Sequence, residues 1–432
     1  MEEDFVNLSR AVGRSATCVL LLMGAVTACS PQPDGSTSTS AKPATRAAFD
    51  PPVKFDAKAG VPMPKAATAG LLTAKGKDIG LLRNPVQLYK DKAYVATEES
   101  LLAVDTTKGA VTTITPEATP VTSQDQSGYV SSHPLVITEG APPLALTSFI
   151  VKQPAVGTHA ERVFVEFIAV NAASTRVEWR LSLDIPEWAK DAPYPRSAQV
   201  VASSGRVALL TVGAFKPAGR TTYAIDLVDH RVLWTRDLFE AKKIVKGTVV
   251  GITKDAIDSQ YEAAAGHDLN TGEPRWRGED SEYPGVGTGG PQFVHVTGRS
   301  KAGVDFNRLV DPQSGAVQKE IPDVGPADCE FDGISTLVCF RNWEGLSVWA
   351  FDTSNGELRW TLPNKAANRI APRVTAVWHG RIYGSTDSGP LALDARTGDD
   401  LPTAPGIAPY AVNEYVGLAL KGTDALAYPA IG

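Results

Sequence analysis

The feature that most constrains this chain is a turn that returns at a fixed distance. Residues 348–360 read VWAFDTSNGELRW: an aromatic-rich strand, an Asp, a polar turn ending in Gly, and a Trp eight positions after the Asp. The same grammar recurs in YAIDLVDHRVLW (223–234) and GHDLNTGEPRW (266–276). Aligned on the Asp, the copies fall at Asp184, Asp226, Asp268, Asp311, Asp352 and Asp394, with steps of 42, 42, 43, 41 and 42 residues. An earlier copy, LLAVDTTKGAV, carries Asp105; the step of 79 to Asp184 implies an insertion or a decayed copy between them. A period of about 40–45 residues is that of a four-stranded propeller blade.

The motif has a physical sense. Ala stands two residues before the Asp at 103, 224, 350 and 392, and the residue just before it is usually apolar, as in Val104, Leu183, Ile225, Val310, Phe351 and Leu393. Small and large side chains on alternate faces of a strand suit a sheet sandwiched between two others. The Asp can accept backbone N–H groups in the turn, and Gly109, Gly272, Gly315, Gly356 and Gly398 supply a positive-φ position four residues later. Trp234, Trp276 and Trp360 return on the outer strand to cover the seam to the next blade. The intervals hold about three further strands each, divided by Gly-bearing turns, and no helical periodicity appears after residue 60. Residues 407–432 offer three strands without a fourth, which the alternating PVKFDAKA (52–59) is expected to supply. The reading is an all-β propeller over 52–432 of eight four-stranded blades, seven being the alternative, closed by an N-terminal strand.

With those residues in view, HDLNTGEPRW and AFDTSNGELRW resemble the A-x-D-x-x-T-G-x-x-x-W signature of the pyrroloquinoline-quinone-like (PQQ-like) propeller repeat, over about residues 80–402. The resemblance implies a fold shared by quinoprotein dehydrogenases, by a lipoprotein of outer-membrane barrel assembly, by kinase sensor domains and by other surface lipoproteins. The dehydrogenases cover their quinone with a disulfide between adjacent cysteines, and no Cys-Cys dipeptide occurs here. No cofactor is therefore expected, and the non-enzymatic branch is favoured. Cys329 and Cys339 lie ten apart in DCEFDGISTLVCF, opposed across a hairpin, and form either a cross-strand disulfide, which an exported location favours, or two buried thiols.

The first 28 residues read as a signal peptide. Arg10 and Arg14 precede the apolar run ATCVLLLMGAVTA (16–28), shorter than the roughly 20 residues of a spanning helix. Val26-Thr27-Ala28-Cys29 resembles the bacterial lipobox, which implies lipidation of Cys29. Residues 29–51, rich in Ser, Thr, Pro and Ala, read as a flexible linker with a reach of roughly 25 Å. The expected location is the membrane surface, lipid-anchored and extracytoplasmic.

Forty-two basic and 48 acidic residues, mixed along the chain, leave no polybasic stripe for nucleic acid. DLNTGE (268–273) and DTSNGE (352–357) look like calcium loops but lack the bidentate Glu and fall on the repeat turn, so no metal is expected. The six His show no ligand spacing. His267, in the apolar position before Asp268, reads as a buried, hydrogen-bonded side chain. No Gly-x-Ser-x-Gly elbow or phosphate loop is present.

What remains is surface. Loops joining second to third strands, and blade to blade, share one face of a propeller, and the long ones here are 118–134, 213–220, 254–264, 277–291, 297–307 and 341–345. Long loops on a rigid scaffold are where binding usually resides. Trp343, flanked by Arg341 and Glu344, is the candidate partner anchor. The expected function is a monomeric, membrane-anchored module that binds or scaffolds a protein; the alternative is an exported propeller enzyme with a channel-bound ligand, a quinone-dependent oxidoreductase among the candidates. Converging carboxylates in the channel would favour the enzyme, an aromatic patch on the long-loop face the binder.

Overall fold

A computed structural model describes residues 46–68, 71, 86–122, 133–139, 141–190, 196–214, 219–321, 327–342 and 345–432. The signal segment, Cys29 and most of the expected linker lie outside them. The described chain is nearly all β and forms an eight-bladed β-propeller: its strands pair antiparallel into eight sheets. Helix is limited to Lys65–Thr68 (3-10) and Glu187–Lys190.

Blades 1 to 7 each lie in one stretch of chain. Blade 1 runs from Val86–Tyr89 to Val111–Ile114, blade 3 from Arg196–Ser204 to Arg231–Asp237, and blade 4 from Phe239–Val245 to Pro274–Arg277. Blade 5 runs from Ser281–Gly289 to Val317–Glu320, and blade 6 from Asp328–Phe331 to Leu358–Leu362. Blade 2 has five strands because two short segments, Thr119–Pro120 and Leu135–Ile137, both pair with Leu144–Gln153. Blade 7 has three (Arg373–Trp378, Arg381–Thr386, Gly389–Asp394) and keeps only a bridge, Leu393 to Asp400, where the outer strand would run.

Blade 8 joins the two ends of the chain. Ala411–Val412, Val416–Lys421 and Asp424–Pro429 are its first three strands, and Val61–Pro62 pairs with the third as the outermost. The closing segment is therefore split: Phe55 bridges Ala430, and the strand proper lies just beyond the expected 52–59. Contact also begins before the expected boundary at 52. Phe49 donates its N–H to Glu414 O at 2.7 Å, Asp50 accepts from Trp378 Nε1 at 3.1 Å, and Pro52 O accepts from Tyr383 Oη at 2.7 Å.

The core is not one mass but eight apolar clusters, one in each seam. Val250 and Ala264 of blade 4, for example, meet Val294, Val296 and Val310 of blade 5; Tyr383 of blade 7 meets Tyr428 of blade 8; Val416 and Leu418 of blade 8 meet Val95 and Val104 of blade 1. A sheet buried on both faces explains the continuous apolar strands seen in the sequence.

The repeat turn works as its composition requires. Asp268 Oδ1 accepts the N–H groups of Asn270 and Thr271 at 2.8 and 3.0 Å, and Gly272, at φ 70°, donates back to Asp268 O. Three of these turns are stapled by a Trp to the preceding blade. Trp234 Nε1 donates to Leu269 O at 2.9 Å, Trp276 to Pro312 O at 2.8 Å and Trp360 to Ala395 O at 3.0 Å, each acceptor being the residue after an anchor Asp. The Trp rings lie flat on Gly272, Gly315 and Gly398, where any Cβ would meet ring atoms at 2.6 Å. Glycine is required there twice over, by φ and by the ring.

One anchor falls elsewhere than the spacing indicated. Asp184 ends the outermost strand of blade 2 and is 83% exposed, paired with Arg162 at 2.7 Å. The turn it was expected to make is made by Asn171, whose Oδ1 accepts from Ala173 and Ser174 and whose carbonyl accepts from Thr175, a residue at φ 61° in the glycine place. Eight residues on stands Trp179, which stacks at 4.4 Å on His230, the blade 3 residue in the same glycine place. Asn accepts the same N–H groups as Asp, so an alignment on Asp alone passed over it.

Candidate functional site

Cys329 and Cys339 face each other across the first hairpin of blade 6, Cα atoms 4.0 Å apart, and are joined by a disulfide. The carboxylates on either side of Cys329 have a different role. Register identifies one inner-strand residue per blade at a common depth, opposite the third residue of the second strand: Gln87, Leu135, Ala202, Lys243, Gly287, Glu330, Ala376 and Ala411. Inner strands border the central channel, so these eight form a ring around it. Six are neutral and mostly small. The two charges, Lys243 and Glu330, sit on blades 4 and 6 with glycine between them on blade 5.

Lys243 keeps solvent contact, yet desolvation lowers its pKa, with Glu330 pulling the other way. Glu330 is half-buried and its carboxyl is pushed up to about 7, chiefly by desolvation and further by Asp328, while the Val377 N–H and Lys243 oppose the rise. Asp328, one step toward the long-loop face, is also raised by desolvation, and its Oδ2 is buried without a hydrogen-bond partner. At the matching register position of blade 4, Glu240 pairs with Arg220, which also holds Glu262 at 3.1 Å.

The long-loop end of the blade 5 inner strand carries Tyr283. It sits in a bulge of the blade 5 inner strand between Glu282 and Gly285, at φ 51° and 87% exposed. A bulky residue in that backbone region is strained, and strain of this kind clusters where a side chain must be presented. Tyr261, with Lys301 4.9 Å above its ring, stands on the adjoining loops, and Val304 and Ile370 are exposed on the same face. Of the predicted anchor, only Arg341 is described: its guanidinium lies 5.9 Å over Trp349, while Trp343 and Glu344 fall outside the described residues. The stretch 277–291, expected as a long loop, holds the inner strand Ser281–Gly289 instead, and nothing in the sequence singled out Tyr283 within it, because the bulge that exposes it is a property of strand pairing.

The calcium-like turns hold their own oxygens. Asp268 Oδ2 and Asp352 Oδ2 are taken by Arg275 and Arg359 at 2.6 and 2.7 Å, and among the described residues no three His, Cys, Asp or Glu side chains gather as a metal group. His267 is buried against Phe239, its Nδ1 donating to Gly272 O at 3.0 Å; burial lowers its pKa. A cavity of about 430 Å³ opens at the seam of blades 2 and 3, lined by Ile137, Glu139, Glu178, Trp179, Arg206 and His230 among others.

No family model and no curated protein matches this chain. Among solved structures it is similar to BamB from Moraxella catarrhalis, at 12% identity over 80% of this chain and 96% of that one (TM-score 0.41). It is also similar to a quinohemoprotein alcohol dehydrogenase from Pseudomonas putida HK5, at 10% identity over 88% and 83% (TM-score 0.42). A third is the β-propeller domain of the Trilobed protease from Pyrococcus furiosus, at 10% identity over 68% and 92% (TM-score 0.41). These likenesses concern fold alone; the strand pairing itself establishes the propeller.

Proposed function

We propose that this protein is a partner-binding propeller of the bacterial envelope, tethered to the membrane through a lipid on Cys29, with its long-loop face as the docking surface. The observation that carries the reading is Tyr283, an aromatic held out by a strained bulge on that face. Tyr is a favoured interface anchor because it offers a large amphipathic area at little entropic cost. The rest of the surface contributes complementarity, as in most interfaces, and few residues carry the energy.

A photo-crosslinking residue placed at Tyr283 is expected to trap one polypeptide on intact cells, while the same residue at Val228, exposed on the opposite face, traps none. Equal capture at both positions, or none at either, would sink the reading. The anchor is tested separately: Cys29→Ser should move the protein from the detergent phase to the aqueous phase. A second reading, a channel-bound ligand, is favoured by the charged sector of Lys243, Asp328 and Glu330.

A further inference from the structure

One seam of the ring is closed differently from its counterparts. Trp234, Trp276 and Trp360 each lie on a glycine of the next blade and donate Nε1 to the carbonyl of the residue after the next anchor Asp. Trp179 stands at the same place in blade 2, but the glycine place opposite it holds His230, at φ 52°. The indole therefore stacks on an imidazole, 4.4 Å between centroids, rather than on bare backbone, and Phe167 stacks on it at 5.5 Å. The carbonyl in the position to take its N–H is that of Leu227, yet among the described residues Trp179 Nε1 donates to no acceptor. The cavity of about 430 Å³ lies at this unstapled seam, lined by both rings and by Leu227.

The charges around the cavity are not balanced. Arg206 is committed to Asp226 and to Asp229, the latter at 2.8 Å. Glu139 and Glu178 line the same cavity, and among the described residues neither has a cationic partner. Glu178 is oriented, because Asn171 Nδ2 donates to its Oε1 at 2.9 Å. Ile137, Pro142 and Leu144 add apolar wall. A cavity in the size range of small-molecule sites, with apolar walls and two carboxylates lacking a counter-charge, complements a positive group on an apolar body.

We propose that the seam of blades 2 and 3 binds a small organic cation, an amine whose ammonium is held by Glu139 and Glu178 and whose apolar body packs on Leu144, Leu227 and Trp179. The site is on the repeat-turn side of the ring, away from Tyr283, and does not depend on whether the long-loop face binds a partner. No bond is made or broken; this is a binding site, opened by a side chain where the other Trp-bearing seams have glycine.

The test is calorimetric titration of the full chain with 2-phenylethylamine, its neutral counterpart 2-phenylethanol, the anion 3-phenylpropanoate, and ethylamine, which has the charge without the ring. 2-Phenylethylamine is expected to bind, and the other three to bind more weakly by roughly tenfold or more, having lost the charge-assisted hydrogen bonds or the apolar burial. Glu139→Gln and Glu178→Gln should each weaken the amine by roughly three- to tenfold at an unchanged melting temperature; both side chains are exposed, and Gln at 178 still accepts from Asn171. His230→Gly lets Trp179 settle on the turn with Nε1 on Leu227 O, and is expected to abolish amine binding in a folded chain. The proposal is overturned if 2-phenylethylamine does not bind at millimolar concentration or binds no tighter than 2-phenylethanol. Undiminished affinity in both Gln variants, or in His230→Gly, overturns it equally.

Discussion

Glu330 is held in the structure at a cost that can be measured. Its folded pKa of about 7 exceeds the unfolded value of 4.5, so the unfolded state loses the proton first as pH rises, and stability falls between pH 4.5 and 7. Glu330→Gln removes the charge and keeps the shape. It is expected to stabilise the chain by on the order of 2–3 kcal/mol at pH 8 and by little at pH 4.5, as read from urea unfolding at the two pH values. Asp226 shows the opposite sign: burial alone would raise it, but Arg206 and the Val228 and Asp229 N–H groups hold it at about 2, so its contribution is present above pH 4 and lost as pH falls toward 2. Of these residues only Asp226 was legible in the sequence, because its role is local to one turn. Glu330 was visible only as a neighbour of Cys329, since its raised pKa comes chiefly from burial in the assembled ring.

At the scale of the element, the repeat turn and its Trp staple are the units of stability. Trp234, buried with its Nε1 on Leu269 O, should lose about 3–5 kcal/mol as Ala and about 1 kcal/mol as Phe, which leaves that carbonyl unpaired. The reassigned anchor gives a sharper contrast. Asn171→Ala, which strips the turn of its acceptor, is expected to cost about 1–2 kcal/mol, and Asp184→Ala, an exposed partner of Arg162, less than about 0.5 kcal/mol. Reversal of that order in thermal unfolding would return the turn to Asp184. Removing the disulfide with Cys329→Ser and Cys339→Ser should cost about 2–3 kcal/mol for a loop of this length. These elements could be read from sequence because turn chemistry uses near neighbours; blade 2 could not, where an insertion broke the period and Asn replaced Asp.

For the whole molecule, stability depends on a closed circle of seams. Val61–Pro62 and Phe55 pair with the last blade, and Tyr383 and Arg381 bind Pro52 O from blade 7. Deleting residues 46–62 opens the ring at the one seam where chain ends meet and strips the third strand of blade 8 of its outer neighbour. The expected result is a melting temperature lower by several degrees, with faster proteolysis beginning in residues 411–429; unchanged melting would show that the seams hold without closure.

The sequence by itself determined the architecture: a period near 42, with an acceptor, a glycine and a Trp at fixed offsets, admits little but a ring of four-stranded blades. Those offsets act across a few residues or between adjacent repeats, so they are written in order along the chain. The tertiary structure alone decided which inner-strand residues share a depth around the ring, which strand bulges, and that Tyr283 stands out while Lys243 and Glu330 sit at one level two blades apart. Closing the ring brings inner strands from distant repeats around one axis, and a charge becomes a site only when that closure sets it at the same depth as its counterpart.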